Sequence, residues 1–89
     1  MNYLYYDLGT VHAGATVIAH LKGTAANVQL LDTANLQRYR GGQQFSFYGG
    51  HFTRSPARIG VPSTGHWHVV IDLGGYDGQV NASVQVLAA

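Results

Sequence analysis

Apolar and polar residues alternate with a period of two over most of this chain, and glycine-rich turns separate the runs. Such alternation places successive side chains on opposite faces of an extended strand. In residues 15–22 one row is Ala15, Val17, Ala19 and Leu21, and the other is Thr16, Ile18, His20 and Lys22. Gly23 closes that strand, and residues 27–32 read as its partner in a hairpin across residues 23–26. Residues 3–8 read as an opening strand ended by Gly9. In residues 43–48 Phe45 and Phe47 are expected inward, with Gly49-Gly50 as the break. A shorter strand, 56–61, leaves through Pro62-Ser63-Thr64-Gly65, a turn with proline at its first corner.

The clearest pair of strands lies near the C-terminus. Residues 66–73 put Trp67, Val69, Ile71 and Leu73 on one face, and His66, His68, Val70 and Asp72 on the other, read as outward. Gly74-Gly75-Tyr76-Asp77-Gly78 is turn chemistry. Residues 79–86 then return with Val80, Ala82, Val84 and Val86 inward and Gln79, Asn81, Ser83 and Gln85 outward. The period changes only at residues 33–40. Asp32 and Thr33 are capping residues there, β-branched side chains are absent beyond Thr33, and Gly41 follows. These features predict a short helix with Leu36 and Tyr39 or Arg40 on one side. About seven short strands and one short helix in 89 residues predict a single all-β domain, a compact antiparallel β-sandwich of jelly-roll-like form. Asp-Leu-Gly occurs at residues 7–9 and again at 72–74, read as two strand ends of similar chemistry.

Composition narrows the function classes. Charged residues make up only 10% of the chain against 46% hydrophobic, which leaves much neutral surface and predicts a homo-oligomer or a standing protein partner. Cysteine is absent, so disulfides, thiolate metal sites and cysteine nucleophiles are excluded. Residues 1–7 lack the basic segment and apolar run of a signal peptide, and no run approaches the ~20 apolar residues that span a bilayer. A cytoplasmic protein with no membrane contact is the expectation, and Asn81-Ala82-Ser83 then reads as a chance glycosylation sequon.

Three surfaces carry candidate chemistry. His66 and His68 sit on one face of a strand, ~6.5–7 Å apart along the backbone, a spacing at which two imidazoles can share a metal ion. With Asp72 on that face the pattern partly resembles the His-x-His and carboxylate of metal-binding jelly rolls such as cupins. It departs in having glycine directly before the first histidine and its carboxylate ~13 Å beyond the second. A third ligand, such as His20 or His51, would have to come from the fold. Otherwise the two histidines are polar residues on an outward strand face.

The second surface is the middle of the chain, where Arg38, Arg40, Arg54 and Arg58 lie with no acid among them, giving +4 against −3 for the flanks. With Tyr39, Tyr48 and the phenylalanines they mix guanidinium groups with flat rings, as nucleic-acid and phospholigand sites do. A sequence pI near 8.2 is below that of a dedicated nucleic-acid binder. Six tyrosines are the third candidate, suited equally to sugar stacking and to protein interfaces. No nucleophile elbow, P-loop or dinucleotide fingerprint is present, and the aspartates form no evident acid/base pair. The sequence therefore points away from an enzyme and from a bound cofactor, and towards a binding or protein-interaction module.

Several segments together resemble a bacterial family of small β-rich domains of unknown function, found alone or beside TIR-type signalling domains. They are Tyr5-Tyr6-Asp7-Leu8-Gly9, His20-Leu21-Lys22-Gly23, Ala26-Asn27-Val28, Tyr48-Gly49-Gly50, Ser55-Pro56, Val61-Pro62-Ser63-Thr64-Gly65-His66-Trp67 and Asp72-Leu73-Gly74-Gly75. The resemblance spans nearly the whole chain and brings no catalytic residues. It implies a bacterial, cytoplasmic domain, and its company of signalling modules implies sensing or interaction.

Overall fold

The computed structural model describes residues 3–75 and 77–89. Seven strands form two antiparallel sheets. In chain order they are β1 (Tyr3–Val11), β2 (Thr16–Gly23), β3 (Ala26–Asp32), then the helix α1 (Thr33–Arg40), then β4 (Tyr48–Phe52), β5 (Ala57–Gly60), β6 (Gly65–Asp72) and β7 (Val80–Leu87). One sheet has the order β1-β6-β3-β4 and the other β5-β2-β7. The pairs β3·β4, β2·β5 and β1·β6 nest within one another. The chain is thus a long hairpin rolled up with α1 near its tip, which is the winding of a jelly roll.

The inward rows expected of β2 and β6 lie in the core. Val17, Ala19, Val28, Leu30, Val69, Ile71 and Trp67 are buried between the sheets. β3 is covered on both faces: Val28 and Leu30 are buried on the inner one, and Gln29 and Leu31 on the outer. A strand covered on both sides belongs in the middle of a sheet, and β3 lies between β6 and β4. This overturns the expected hairpin of residues 15–32, since β2 and β3 lie in opposite sheets and face each other across the core. The C-terminal pair is corrected in the same way: β6 and β7 belong to different sheets, and the connection between them crosses from one to the other. Tyr76, expected in that turn, lies outside the described residues, as do residues 1 and 2. Val80, Ala82 and Val84 are half-buried as expected of inward positions, whereas Val86 is exposed.

Two glycine signals take a different form from the one expected. β1 does not end at Gly9 but passes it through a register shift between Asp7 and Gly9. The strand predicted at residues 43–48 begins only at Tyr48 and runs through Gly49 and Gly50. Gly49 has φ +116°, and a Cβ there would strike the Val28 carbonyl, so glycine permits the close approach of β4 to β3. Phe45 and Phe47 accordingly lie outside the sandwich interior, Phe45 partly buried beside α1 and Phe47 44% exposed.

The helix forms where predicted. Asp32 caps it by accepting a hydrogen bond from the Asn35 backbone N–H at 2.8 Å, and Leu36 and Tyr39 are its buried residues. They pack with Leu31 and Val70 into a second, smaller apolar cluster on the outer face of the four-stranded sheet. The face of β6 expected to meet solvent is therefore covered: His68, Val70 and Asp72 are buried, and only His66 is exposed. No helix among the described residues is long and apolar enough to cross a membrane.

Candidate functional site

Cross-strand register brings the chemistry-bearing residues together on the outer face of the four-stranded sheet. One row across it reads Tyr3, Asp72, Asn27, His51. The next reads Tyr5, Val70, Gln29, Gly49, and the third Asp7, His68, Leu31. Asn27 and Gln29 of β3 thus stand beside the acid of β6.

Asp72 is the hub of the first row. Its Oδ1 accepts from the Asn27 side-chain amide at 2.9 Å and from the Gly74 backbone N–H at 3.0 Å. Its Oδ2 accepts from the Gln29 amide at 3.0 Å and the Tyr39 hydroxyl at 2.7 Å. Burial alone would raise this carboxyl, but the hydrogen bonds from Tyr39, Asn27, Gly74 and Gln29 outweigh it and hold the group below the ordinary carboxylate value. The Tyr39 hydroxyl is pushed up by burial and by the neighbouring carboxylate, so it stays a donor. Asn27 Oδ1 in turn lies 3.2 Å from His51 Nδ1.

Above this ionised floor is an open cleft of about 490 Å³. Tyr39, Phe45 and Phe47 wall it, Asn27, Gln29, His51 and Asp72 supply its polar groups, and Gly50, Gly74 and Gly75 complete its described lining. Tyr39 and Phe45 meet edge to face at 5.1 Å, and Phe45 and Phe47 are tilted at 5.7 Å. No lysine or arginine lies among the described residues lining it.

The histidine pair forms a second constellation beyond the helix. His66 Nε2 lies 2.6 Å from Asp7 Oδ1, and the two imidazoles stack at 4.6 Å between centroids and 17° between planes. Among the described residues, Asp7, His66 and His68 are thus three potential metal ligands that the fold brings together. Neither His20 nor His51 joins them, because His20 is on β2 in the other sheet and His51 is beside Asn27. Asp72 is committed to its four donors. His68 is also committed: Nδ1 is 2.8 Å from the Tyr5 hydroxyl, and Nε2 is 2.9 Å from the Thr33 hydroxyl. Imidazoles direct their lone pairs in the ring plane, so two nearly parallel stacked rings do not aim at one ion. Burial lowers the His68 pKa, which keeps the ring neutral, with one nitrogen donating and the other accepting.

The basic middle of the chain is divided by the fold. Arg40 lies over the Tyr5 ring at 4.5 Å and donates through Nε to the Tyr3 hydroxyl at 3.0 Å, and Arg38 contacts Asn35 Oδ1 at 3.4 Å. Both are on α1, outside the four-stranded sheet. Arg58 is exposed between buried Ala57 and Ile59 on β5, so it points away from the opposite sheet, and Arg54 is exposed in the preceding connection. The four do not form one patch. Tyr48 is 49% exposed and packs edge-on to Trp67 at 6.0 Å.

Asp7 and Asp72 share a local device. Each accepts a hydrogen bond from the glycine two residues on, Gly9 at 2.9 Å and Gly74 at 3.0 Å, and both glycines have φ near +65°. The repeated Asp-Leu-Gly is thus one turn used twice, on neighbouring strands. The model of the family described as "Domain of unknown function (DUF1883)" matches residues 1–89. The chain belongs to this family. Comparison with curated proteins and with solved structures finds no match. Membership of DUF1883 names no reaction and no ligand, so a functional reading of this chain rests on its own cleft and clusters.

Proposed function

We propose that the domain is a non-enzymatic binding module, and that its ligand is a ring-sized organic molecule, uncharged or cationic, held in the cleft above Asp72. The observation that carries this reading is the Asp72 carboxylate. It is fixed by four donors at the floor of an aromatic cleft whose described lining has no lysine or arginine. A cavity of that size lies in the range of small-molecule sites, and the mixture of rings with a few fixed polar groups is typical of them. A carboxylate held by neutral donors keeps its negative charge and repels anions. Aromatic faces beside it attract organic cations and stack on flat neutral rings. Phosphate-rich ligands are disfavoured by the same charge.

A bacterial, cytoplasmic sensing role beside signalling domains is compatible with this reading, and its support is the family resemblance. The test is an amide-resonance titration of the full chain with benzamidinium chloride and, separately, sodium benzoate. Benzamidinium should shift the backbone amides of Gly50, Gly74 and Gly75 and the side-chain amides of Asn27 and Gln29, and benzoate should leave them in place. Equal response to both salts, or shifts confined to another surface, would overturn the assignment.

A further inference from the structure

The two sheets have four edges, and three of them are blunted. β1 carries the register shift at Asp7/Gly9. β4 has five residues, two of them glycine. β5 has four residues, carries Arg58 and is bounded by Pro56 and Pro62. Bulges, short length, charge and proline are the devices by which natural sheets avoid pairing with other chains.

β7 has none of them. It pairs with β2 over eight consecutive residues without a register shift, and Val80–Leu87 contains no charged residue, proline or glycine. The direction of its free groups follows from two hydrogen bonds. The Leu21 N–H is taken by Ser55 Oγ, and the Thr24 N–H bonds the Gln79 carbonyl. Odd-numbered residues of β7 therefore bond to β2, and Val80, Ala82, Val84 and Val86 direct their backbone N–H and C=O outward. The Tyr6 hydroxyl donates to the Ala82 carbonyl at 3.0 Å, which uses one of that oxygen's two lone pairs.

We propose that this edge pairs antiparallel with β7 of a second copy of the chain, about a twofold axis at Ser83. In that register Val80 faces Val86 and Ala82 faces Val84, all with outward backbone groups, while Asn81 faces Gln85 and Ser83 faces itself. Apolar residues meet apolar ones on the core side and polar residues meet polar ones outside, as a self-complementary twofold contact requires. A strand without charge meets its own copy without repulsion. Val86 and Leu87, exposed at 38% and 52%, gain cover at the ends of the paired strands. The result is a six-stranded sheet, and the interface is independent of the cleft above Asp72.

The test is sedimentation equilibrium of the full chain over a wide concentration range, with Ser83→Lys and Ser83→Asp as variants. Ser83 is exposed, and far-UV circular dichroism verifies that each variant keeps its fold. The wild type should have twice the monomer mass and each variant the monomer mass. An equimolar mixture of the two variants should return to dimer, because the introduced ammonium and carboxylate then face each other across the axis. A wild type that stays monomeric overturns the pairing and leaves the edge to a strand from another protein. A dimer indifferent to both substitutions overturns it by placing the interface elsewhere.

Discussion

The Tyr39 hydroxyl on α1 donates to Asp72 Oδ2 on β6 at 2.7 Å, across 33 residues of chain. An eight-residue helix is too short to persist alone in water, so α1 depends on contacts like this one and on Leu36. The same bond fixes one wall of the cleft to its floor, which couples the stability of the helix to the shape of the site.

Tyr39→Phe keeps the ring and removes the bond. A hydrogen bond to a charged group contributes about 1.5–3 kcal/mol, so urea unfolding should show a loss in that range. Asp72→Ala should cost more, because it leaves the Asn27, Gln29, Gly74 and Tyr39 donors without their acceptor. A small domain has a total margin of only about 5–10 kcal/mol, so this variant should melt far below the wild type. Equal stability of the two variants would show that the carboxylate does not organise the face.

Acid should weaken the fold in two stages. Burial holds the His68 pKa below its ordinary value of 6.5, so the unfolded chain binds that proton more readily and stability falls as pH drops below about 6.5. The Asp72 pKa is held below 3.8, so its contribution is present above that value and is lost as pH falls further. Unfolding midpoints measured from pH 8 to pH 3 should decline in both intervals, and His68→Gln should remove the upper decline only. A flat profile between pH 7 and pH 5 in the wild type would contradict the buried neutral imidazole.

The two phenylalanines of the cleft should separate binding from folding. Phe47 is 44% exposed, so Phe47→Ala should change stability by no more than about 0.5 kcal/mol while abolishing the benzamidinium-induced amide shifts. Phe45 packs against the Tyr39 ring, and aromatic pairs of this kind contribute about 0.5–1.5 kcal/mol beyond their burial. Phe45→Ala should therefore lower both stability and binding. Retained binding in both variants would exclude the aromatic wall.

Zinc tests the histidine pair. Because both His68 nitrogens are engaged by Tyr5 and Thr33 and its ring is stacked on His66, added zinc should leave the thermal midpoint of tag-free protein unchanged. A midpoint that climbs with zinc concentration, and does so only while His68 is present, would establish a metal site on Asp7, His66 and His68.

Much of the fold was legible because the inward rows are written in alternation: Trp67, Val69 and Ile71 on β6, and Val17 and Ala19 on β2, are buried as read. Sheet membership was not legible. A run of alternating residues carries no record of its partner, and the short connections after Gly23 and Leu73 serve equally for a hairpin or for a crossing between sheets. The candidate site was hidden for the same reason. Asn27 and Gln29 look like the polar side of a solvent-facing strand until register sets them beside Asp72, and Asp7 joins His66 and His68 only through β1–β6 pairing. One local signal was available: β3 carries two amides at i and i+2 among Ala26, Val28, Leu30 and Leu31, a pattern that fits a covered polar row.

The central claim, that the outer face of the four-stranded sheet receives a ring-sized molecule, uncharged or cationic, above an ionised Asp72, is tested most directly by intermolecular nuclear Overhauser effects to bound benzamidinium. Its ring protons should show contacts to the Phe45 and Phe47 rings and to the Gly74 amide. Contacts only to residues of the other sheet, or none at saturating benzamidinium, would contradict the account.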